Sequence, residues 1–224
     1  MPVTLRRARP ERKVDGMRVG VLLFEGVDLL DVGGPYEVFL TASRLVARDG
    51  GEPPFEVVTV GPTAEPVTAY GGLGLVPQVS AAECGDLDVL VVPGTIDVDA
   101  AVGDDALSAA IDRLAPGSGV TASVCTGAFL LASVGLLDGR AWTTHWEDID
   151  LLAPQLAPGT AVRGVRWVDT GDVVTGAGLS SGVAMALHLV DRLAGRELAE
   201  RTARQIDYDW RADAVADIGP TAPT

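Results

Sequence analysis

The chain has 224 residues, 47% hydrophobic and 21% charged, which is the balance of a globular protein with one good-sized core. Its formal net charge of −14 sets it against phosphate backbones and anionic membrane surfaces, so neither nucleic acid nor a membrane is an expected partner of this chain alone. No apolar run reaches the ~18 residues of a membrane helix. Two cysteines, Cys84 and Cys125, make no disulfide framework, and with no secretory apolar region the expected compartment is the reducing cytoplasm.

Residues 1–16, MPVTLRRARPERKVDG, are basic, polar and without periodicity, and read as a disordered leader. Met17 to Phe24 is a strongly apolar strand signal with a turn at Glu25-Gly26. A helix is predicted after Pro35, because proline suits a first turn and Val38, Phe39, Ala42, Leu45 and Val46 recur on one face. Asp31 falls between strand and helix, beyond the C-terminal end of a central strand, where open α/β sheets place ligands. Aspartate is also a common helix cap, so a structural role stands beside a chemical one. Glu25 and Asp28 are the competing carboxylates nearby.

Phe55 to Val60 alternates Phe55, Val57 and Thr59 against Glu56 and Val58, a strand pattern. VTAYGGLGLVPQVS reads as a small hairpin turning at Gly71-Gly72. LDVLVVPGT is an all-apolar strand that ends at Pro93-Gly94, making Gly94 and Thr95 candidate backbone donors facing a site at the sheet edge. Cys84 lies in AAECGDLD, where neighbouring acids disfavour a thiolate, and no catalytic role is assigned to it. Asp104 to Leu114 is an amphipathic helix ended by Pro116-Gly117.

Val120 to Val124 is short, apolar and partly β-branched, as a strand buried on both faces is, while Gly127 to Val134 reads as helix. Cys125 and Thr126 sit at the junction. A side chain on such an elbow projects beyond the sheet, and free N–H groups of the helix's first turn are expected to lower the thiol pKa and to hold an oxyanion. The alternative is a small buried hydrophobe. Ala141 to His145 is a short extended piece, with His145 either polarising a substrate or hydrogen-bonded within the structure. His188 is a helix residue, and two histidines with two cysteines at this spacing make no zinc site. Ala161–Trp167 and Asp172–Thr175 flank Asp169-Thr170-Gly171 as a hairpin. Gly176–Gly178 leads into a helix through Leu193, a last helix runs from Arg196 through Ile206, and residues 211–224 read as a loosely ordered tail.

Strands alternating with helices imply a mainly parallel sheet covered on both faces, an α/β flavodoxin-like three-layer sandwich with a cysteine elbow. Cys125 is then expected at the C-terminal sheet edge, with Asp31 and Gly94 arriving from neighbouring strand ends.

The run SVCTGAFLLASVGLLDGRAWTTHW, with LLFEGVDLLDVGGPYEVF upstream and VVTGAGLSSGVAMAL downstream, resembles the ThiJ/PfpI superfamily, the class I glutamine amidotransferase-like proteins. Within it the likeness is to isocyanide hydratases and to the amidotransferase-like domains of AraC-type regulators. The likeness runs from Met17 to Trp210, implying one domain over 17–210. It implies Cys125 as nucleophile, Asp31 as the acid of an LD-x-x-GP pattern, and Thr126 supplying its N–H and hydroxyl to developing charge. His145 is implied to lie near the cysteine, Gly178 and Leu179 to line the pocket, and Gly94 to help form it. The family commonly has a second glycine where this chain has Thr95, which bears on the oxyanion donors and the pocket shape. The resemblance implies a small-molecule substrate, no metal or organic cofactor, and a homodimer. The reaction implied is hydration of an isocyanide to an N-substituted formamide. The alternatives are a methylglyoxal-type enzyme on the same residues or a ligand-sensing domain without chemistry.

Overall fold

The computed structural model describes residues 16–156 and 158–213. The elements run β1 (Met17–Leu22), α1 (Leu29–Arg48), β2 (Phe55–Gly61), β3 (Val67–Thr68), β4 (Gly74–Leu75), β5 (Val79–Ser80), β6 (Val89–Val92), α2 (Val98–Val102), α3 (Asp105–Leu114) and β7 (Val120–Ser123). They continue with α4 (Gly127–Ser133), β8 (Ala141–Trp142), α5 (Ile149–Leu152), β9 (Thr160–Ala161), β10 (Trp167–Asp169), β11 (Val173–Gly176), α6 (Ser181–Ala194) and α7 (Arg196–Gln205). Apart from Gly16 and residues 211–213, the leader and the tail expected from the sequence lie outside the described residues.

Seven strands form the central sheet in the order β10-β11-β7-β6-β1-β2-β5. Every pairing in it is parallel except β10 with β11 at one edge. The residues of β6, β7 and β11 are all buried, as strands covered on both faces must be. Helices α1, α6 and α7 pack together as one layer, and α2, α3 and α4 as the other, so the flavodoxin-like sandwich holds.

Two local readings are corrected. Helix α1 begins at Leu29, six residues before Pro35, because the Asp28 carboxylate caps it by accepting the Leu30 N–H. Pro35 therefore sits inside the helix, where its missing N–H leaves the Asp31 carbonyl without that intrahelical donor. In β2 the buried residues are Phe55, Val58, Val60 and Gly61, while Val57 and Thr59 are partly exposed; a short β5 beside it and α1 above it leave neither face simply outward. The 67–80 stretch gives the antiparallel β3–β4 hairpin, and then Val79–Ser80 joins the main sheet.

Small residues bring the layers together at the site. A Cβ on Gly34 of α1 would lie 3.0 Å from Val183 Cγ2 of α6, and one on Gly182 would lie 2.8 Å from Val124 Cγ1, next to Cys125. Larger residues at these positions would push α1, whose first turn carries Asp31, away from α6, and α6 away from Val124 at the end of β7.

Candidate active site

Cys125 joins β7 to α4 with φ of 55°, one of two non-glycine residues among those described in the left-handed region. The conformation is held from three directions. Its N–H donates to the Gly176 and Ala177 carbonyls at 3.2 and 2.9 Å, its carbonyl accepts the Thr144 hydroxyl at 2.7 Å, and the preceding Val124 N–H donates to Val92 at 3.0 Å. A strained residue fixed by its surroundings at the end of a central strand is a hallmark of functional sites.

Asp31 is fully buried in the first turn of α1 and does not cap it. Its Oδ2 accepts the Gly94 N–H at 3.0 Å, and its Oδ1 has no hydrogen-bond partner among the described residues. Burial raises the Asp31 pKa to about 7; the Gly94 N–H opposes this, Asp28 adds to it, and donation from the Cys125 thiol pulls the other way. The Cys125 thiol is pushed up to about 12, first by burial and then by the Asp31 charge, against the Thr126 N–H that favours the thiolate. The two shifts describe a coupled pair in which ionising one group discourages the other.

That overturns the lowered thiol pKa expected from the elbow. The reason lies in where the first-turn donors go. The N–H groups of Gly127, Ala128 and Phe129 bond to the carbonyls of Val124, Cys125 and Thr126, which leaves only the Thr126 N–H on the sulfur. The Thr126 hydroxyl is committed as well, accepting the Thr95 N–H at 2.8 Å and donating to the Thr95 carbonyl at 2.6 Å. Gly94 and Thr95, expected as oxyanion donors, thus spend their amides on Asp31 and Thr126. Thr95 needs no positive φ, and its own hydroxyl donates to the Gly26 carbonyl at 2.8 Å, so the β-branched residue fits.

His145 lies against Gly178, where a Cβ would meet its Cδ2 at 2.7 Å. Its Nδ1 is 3.3 Å from Asp148 Oδ2 and 3.9 Å from Glu147 Oε2. Gly178 and Leu179 are half-buried and follow Ala177, whose carbonyl takes the Cys125 N–H. Cys125, Asp31, Thr126, Gly94 and Thr95 are thus one hydrogen-bonded and electrostatically linked group, with His145 and Gly178 joined to it through the Ala177 loop. Sequence reasoning missed Thr144, which anchors the Cys125 carbonyl, and Asp148, whose charge raises the Cys125 pKa. The TTHWED run places both beside His145, the only available signal. Cys84 is also buried, and its thiol is raised by burial first, with Arg18 opposing and only Glu56 of the acids adding. Among the described residues no group of three or more His, Cys, Asp or Glu could hold a metal ion, and no helix is long and apolar enough to cross a membrane.

Residues 17–192 match the model of the DJ-1/PfpI family. The chain belongs to that family. It is 34% identical over 208 residues to an isonitrile hydratase of Pseudomonas putida, covering 93% of this chain and 86% of the relative. An HTH-type transcriptional regulator of Pseudomonas aeruginosa is 25% identical over 203 residues, which are 89% of this chain but 53% of the regulator. Among solved structures, a ThiJ/PfpI family protein from Pseudomonas syringae superposes with a TM-score of 0.77 at 28% identity, covering 97% of this chain and 88% of that one. The DJ-1/PfpI fold therefore accounts for the central sheet and the helices that flank it.

Proposed function

We propose that this DJ-1/PfpI protein hydrates isocyanides to N-substituted formamides, with Cys125 as nucleophile and Asp31 as the proton carrier. The observation that carries the reading is the buried Asp31 carboxyl, anchored through one oxygen by Gly94 and coupled to the Cys125 thiol, with its other oxygen unbonded among the described residues. The 34% identity to an isonitrile hydratase supports the substrate class.

In this mechanism the Asp31 carboxylate takes the thiol proton as sulfur bonds to the terminal isocyanide carbon, and the carboxyl then delivers that proton to the same carbon. The product is a thioimidate, R–N=CH–S–Cys125. Water adds across the C=N bond with Asp31 accepting a proton from oxygen and returning one to nitrogen. Collapse of R–NH–CH(OH)–S–Cys125 breaks the C–S bond, releases R–NH–CHO and restores the thiol proton through Asp31. A thiol that stays protonated at rest suits this sequence, because the same proton is the one the carbon receives.

The committed amides favour this chemistry over acyl transfer. An amidase or peptidase needs free donors aimed at an oxyanion, and removing even one typically costs 10²–10³ in rate. Attack on an isocyanide carbon creates no carbonyl oxyanion. Large apolar side chains are exposed immediately beside the polar site residues in sequence: Leu30 beside Asp31, Ile96 beside Thr95 and Trp146 beside His145. That distribution supports an apolar R group.

The test is formation of formamide from simple alkyl and aryl isocyanides by the full chain, compared with Cys125→Ala and Asp31→Asn. Loss of turnover in both folded variants is expected. Absence of turnover by the unsubstituted protein across several isocyanides would sink the hydratase reading, and turnover that survives Cys125→Ala would sink the nucleophile. The likeness to a transcriptional regulator favours one second reading, ligand sensing without chemistry. It predicts saturable isocyanide binding with no formamide.

A further inference from the structure

Helix α1 carries Asp31 in its first turn and a cluster of arginines in its last. There α1 passes beside α7 and leaves a cleft of about 330 Å³ lined by Leu45, Arg48, Arg201, Arg204 and Gln205. A recess of about 240 Å³ shares Leu45, Arg48 and Gln205 and adds Arg44. Arg44 and Arg48 are four residues apart on α1, and Arg201 and Arg204 three apart on α7, so helical spacing turns each pair to one side. Four of the chain's 17 Lys and Arg residues meet at this one place, on a protein whose net charge is −14.

Among the described residues only Asp49 pairs with any of them directly, while the Glu37 carboxylate reaches Arg44 through the Thr41 hydroxyl, which donates to Glu37 at 2.8 Å. Asp49 pairs with Arg201 and lies 3.5 Å from Arg48. Arg44 donates to the Thr41 hydroxyl at 3.3 Å, and Arg204 makes no side-chain hydrogen bond or ion pair among the described residues. Four guanidinium charges less one carboxylate leave +3. The C-terminal ends of α1 and α7 both point here, and each contributes roughly −0.5 of partial charge. About +2 therefore remains unmatched by direct pairs and helix ends, more than the ordinary capping of helix ends by basic residues would call for.

We propose that this cleft is a binding site for a phosphate dianion, either free or as the phosphoryl group of a small phosphorylated molecule. The residual charge matches a dianion, and the planar guanidinium fork matches a pair of phosphate oxygens. Arg48 and Arg204 line the cleft and hold the phosphoryl group, with Arg44 adding its charge from the adjoining recess; among the described residues neither Arg44 nor Arg204 forms an ion pair. The Leu45 side chain gives the floor an apolar contact, and Gln205 offers both a donor and an acceptor to the remainder of an ester. The volume exceeds that of a bare ion and falls at the small end of ligand sites. The site is separate from Cys125 and does not depend on the chemistry proposed there.

Isothermal titration of the full chain with inorganic phosphate, glucose 6-phosphate, glucose and citrate tests this. One saturable site per chain for at least one of the phosphates, none for glucose and weaker binding of citrate are expected. Binding of inorganic phosphate alone assigns the site to the free ion, and tighter binding of glucose 6-phosphate assigns it to an ester. Arg44→Gln with Arg204→Gln should weaken binding roughly tenfold or more while leaving the ligand-free thermal midpoint in place. Should that double variant fold poorly, Arg204→Gln alone breaks no hydrogen bond or ion pair among the described residues and should still weaken binding several-fold. No saturable binding at millimolar phosphate, unchanged affinity in a folded variant, or tighter binding of citrate than of either phosphate would overturn the proposal.

Discussion

Thr126 grips Thr95 twice, taking its N–H and giving a proton to its carbonyl through a single hydroxyl. The contact ties the end of β6 to the start of α4, and both partners are buried. Thr126→Val keeps the shape but leaves the Thr95 N–H and carbonyl without partners, at a cost of about 2–3 kcal/mol. Thr126→Ser retains the hydroxyl and should lose less than about 1 kcal/mol. Urea unfolding of the two variants checks this; equal losses would mean the methyl group, not the hydroxyl, holds the joint.

Asp31 makes activity and stability depend on pH in opposite senses. Its pKa is raised from 3.8 to about 7 by burial, so the folded state holds a proton that the unfolded state has released between those values. Stability from this group is therefore full below pH 3.8, falls as pH rises towards 7, and is level above it. Asp31→Asn should then unfold at higher denaturant than the unsubstituted protein at pH 8, by on the order of 2 kcal/mol, with the gap closing by pH 4. Turnover needs the carboxylate to take the thiol proton, so kcat/KM should rise with pH to a plateau above about 7. A flat profile would remove Asp31 from proton transfer.

These two residues also mark how far the sequence can be read. Cys125 stands where an apolar β-branched run meets an Ala/Leu-rich one, and periodicity alone places it on an elbow at the sheet edge. The parallel order of strands follows from the same alternation. What periodicity does not carry is the competition for hydrogen bonds. A strand end with two free amides and a helix start with several were both expected to serve an anion. In the folded chain Asp31, Thr126 and the α4 turn itself consume all but one of those donors. Proline misled in a similar way at position 35, because Asp28 supplies a better start for α1 six residues earlier.

Gly94 and Gly178 have no side chain for different reasons. A Cβ on Gly94 would fall 2.5 Å from Thr126 Oγ1, 2.8 Å from Thr126 N and 2.9 Å from Asp31 Oδ2, all fixed by hydrogen bonds. Gly94→Ala should cost about 3 kcal/mol and abolish turnover. A Cβ on Gly178 meets only the His145 ring, which can rotate away. Gly178→Ala should cost under about 1.5 kcal/mol, so its rate isolates what the His145 position contributes. Chemical denaturation alongside formamide assays separates the pair, and equal stability loss would contradict the difference in surroundings.

The left-handed backbone at Cys125 reverses a familiar ranking. Alanine normally outranks glycine in stability because it restricts the unfolded chain, but at φ of 55° the Cβ carries strain of about 1 kcal/mol. Cys125→Gly should accordingly be at least as stable as Cys125→Ala, although both lose the same sulfur. Thermal melts of the two variants decide it; an alanine variant more stable by about 1 kcal/mol would mean that the elbow relaxes when the sulfur is gone.

His188 reads from sequence as one more helix residue, yet it ties α6 to the antiparallel edge of the sheet. Its ring stacks on Trp167 with centroids 5.0 Å apart, and Nε2 is 2.7 Å from Asp169 Oδ2. Arg192 reaches both Asp169 oxygens at 3.2 Å, and the Gly171 N–H donates to Oδ1 at 2.8 Å. Burial by itself would raise the Asp169 pKa, but His188, Gly171 and Arg192 together bring it below the usual carboxylate value. A depressed carboxylate stabilises the fold above its unfolded pKa and ceases to as pH falls through the folded one. Asp169→Asn should therefore destabilise the fold at pH 7, with the loss fading once both states are protonated in strong acid. The comparison is urea unfolding of the variant and the unsubstituted protein across the acid range. A loss that persists unchanged to the lowest pH would show that Asp169 acts through shape and neutral hydrogen bonds, and that its charge adds nothing to the clasp between β10 and α6.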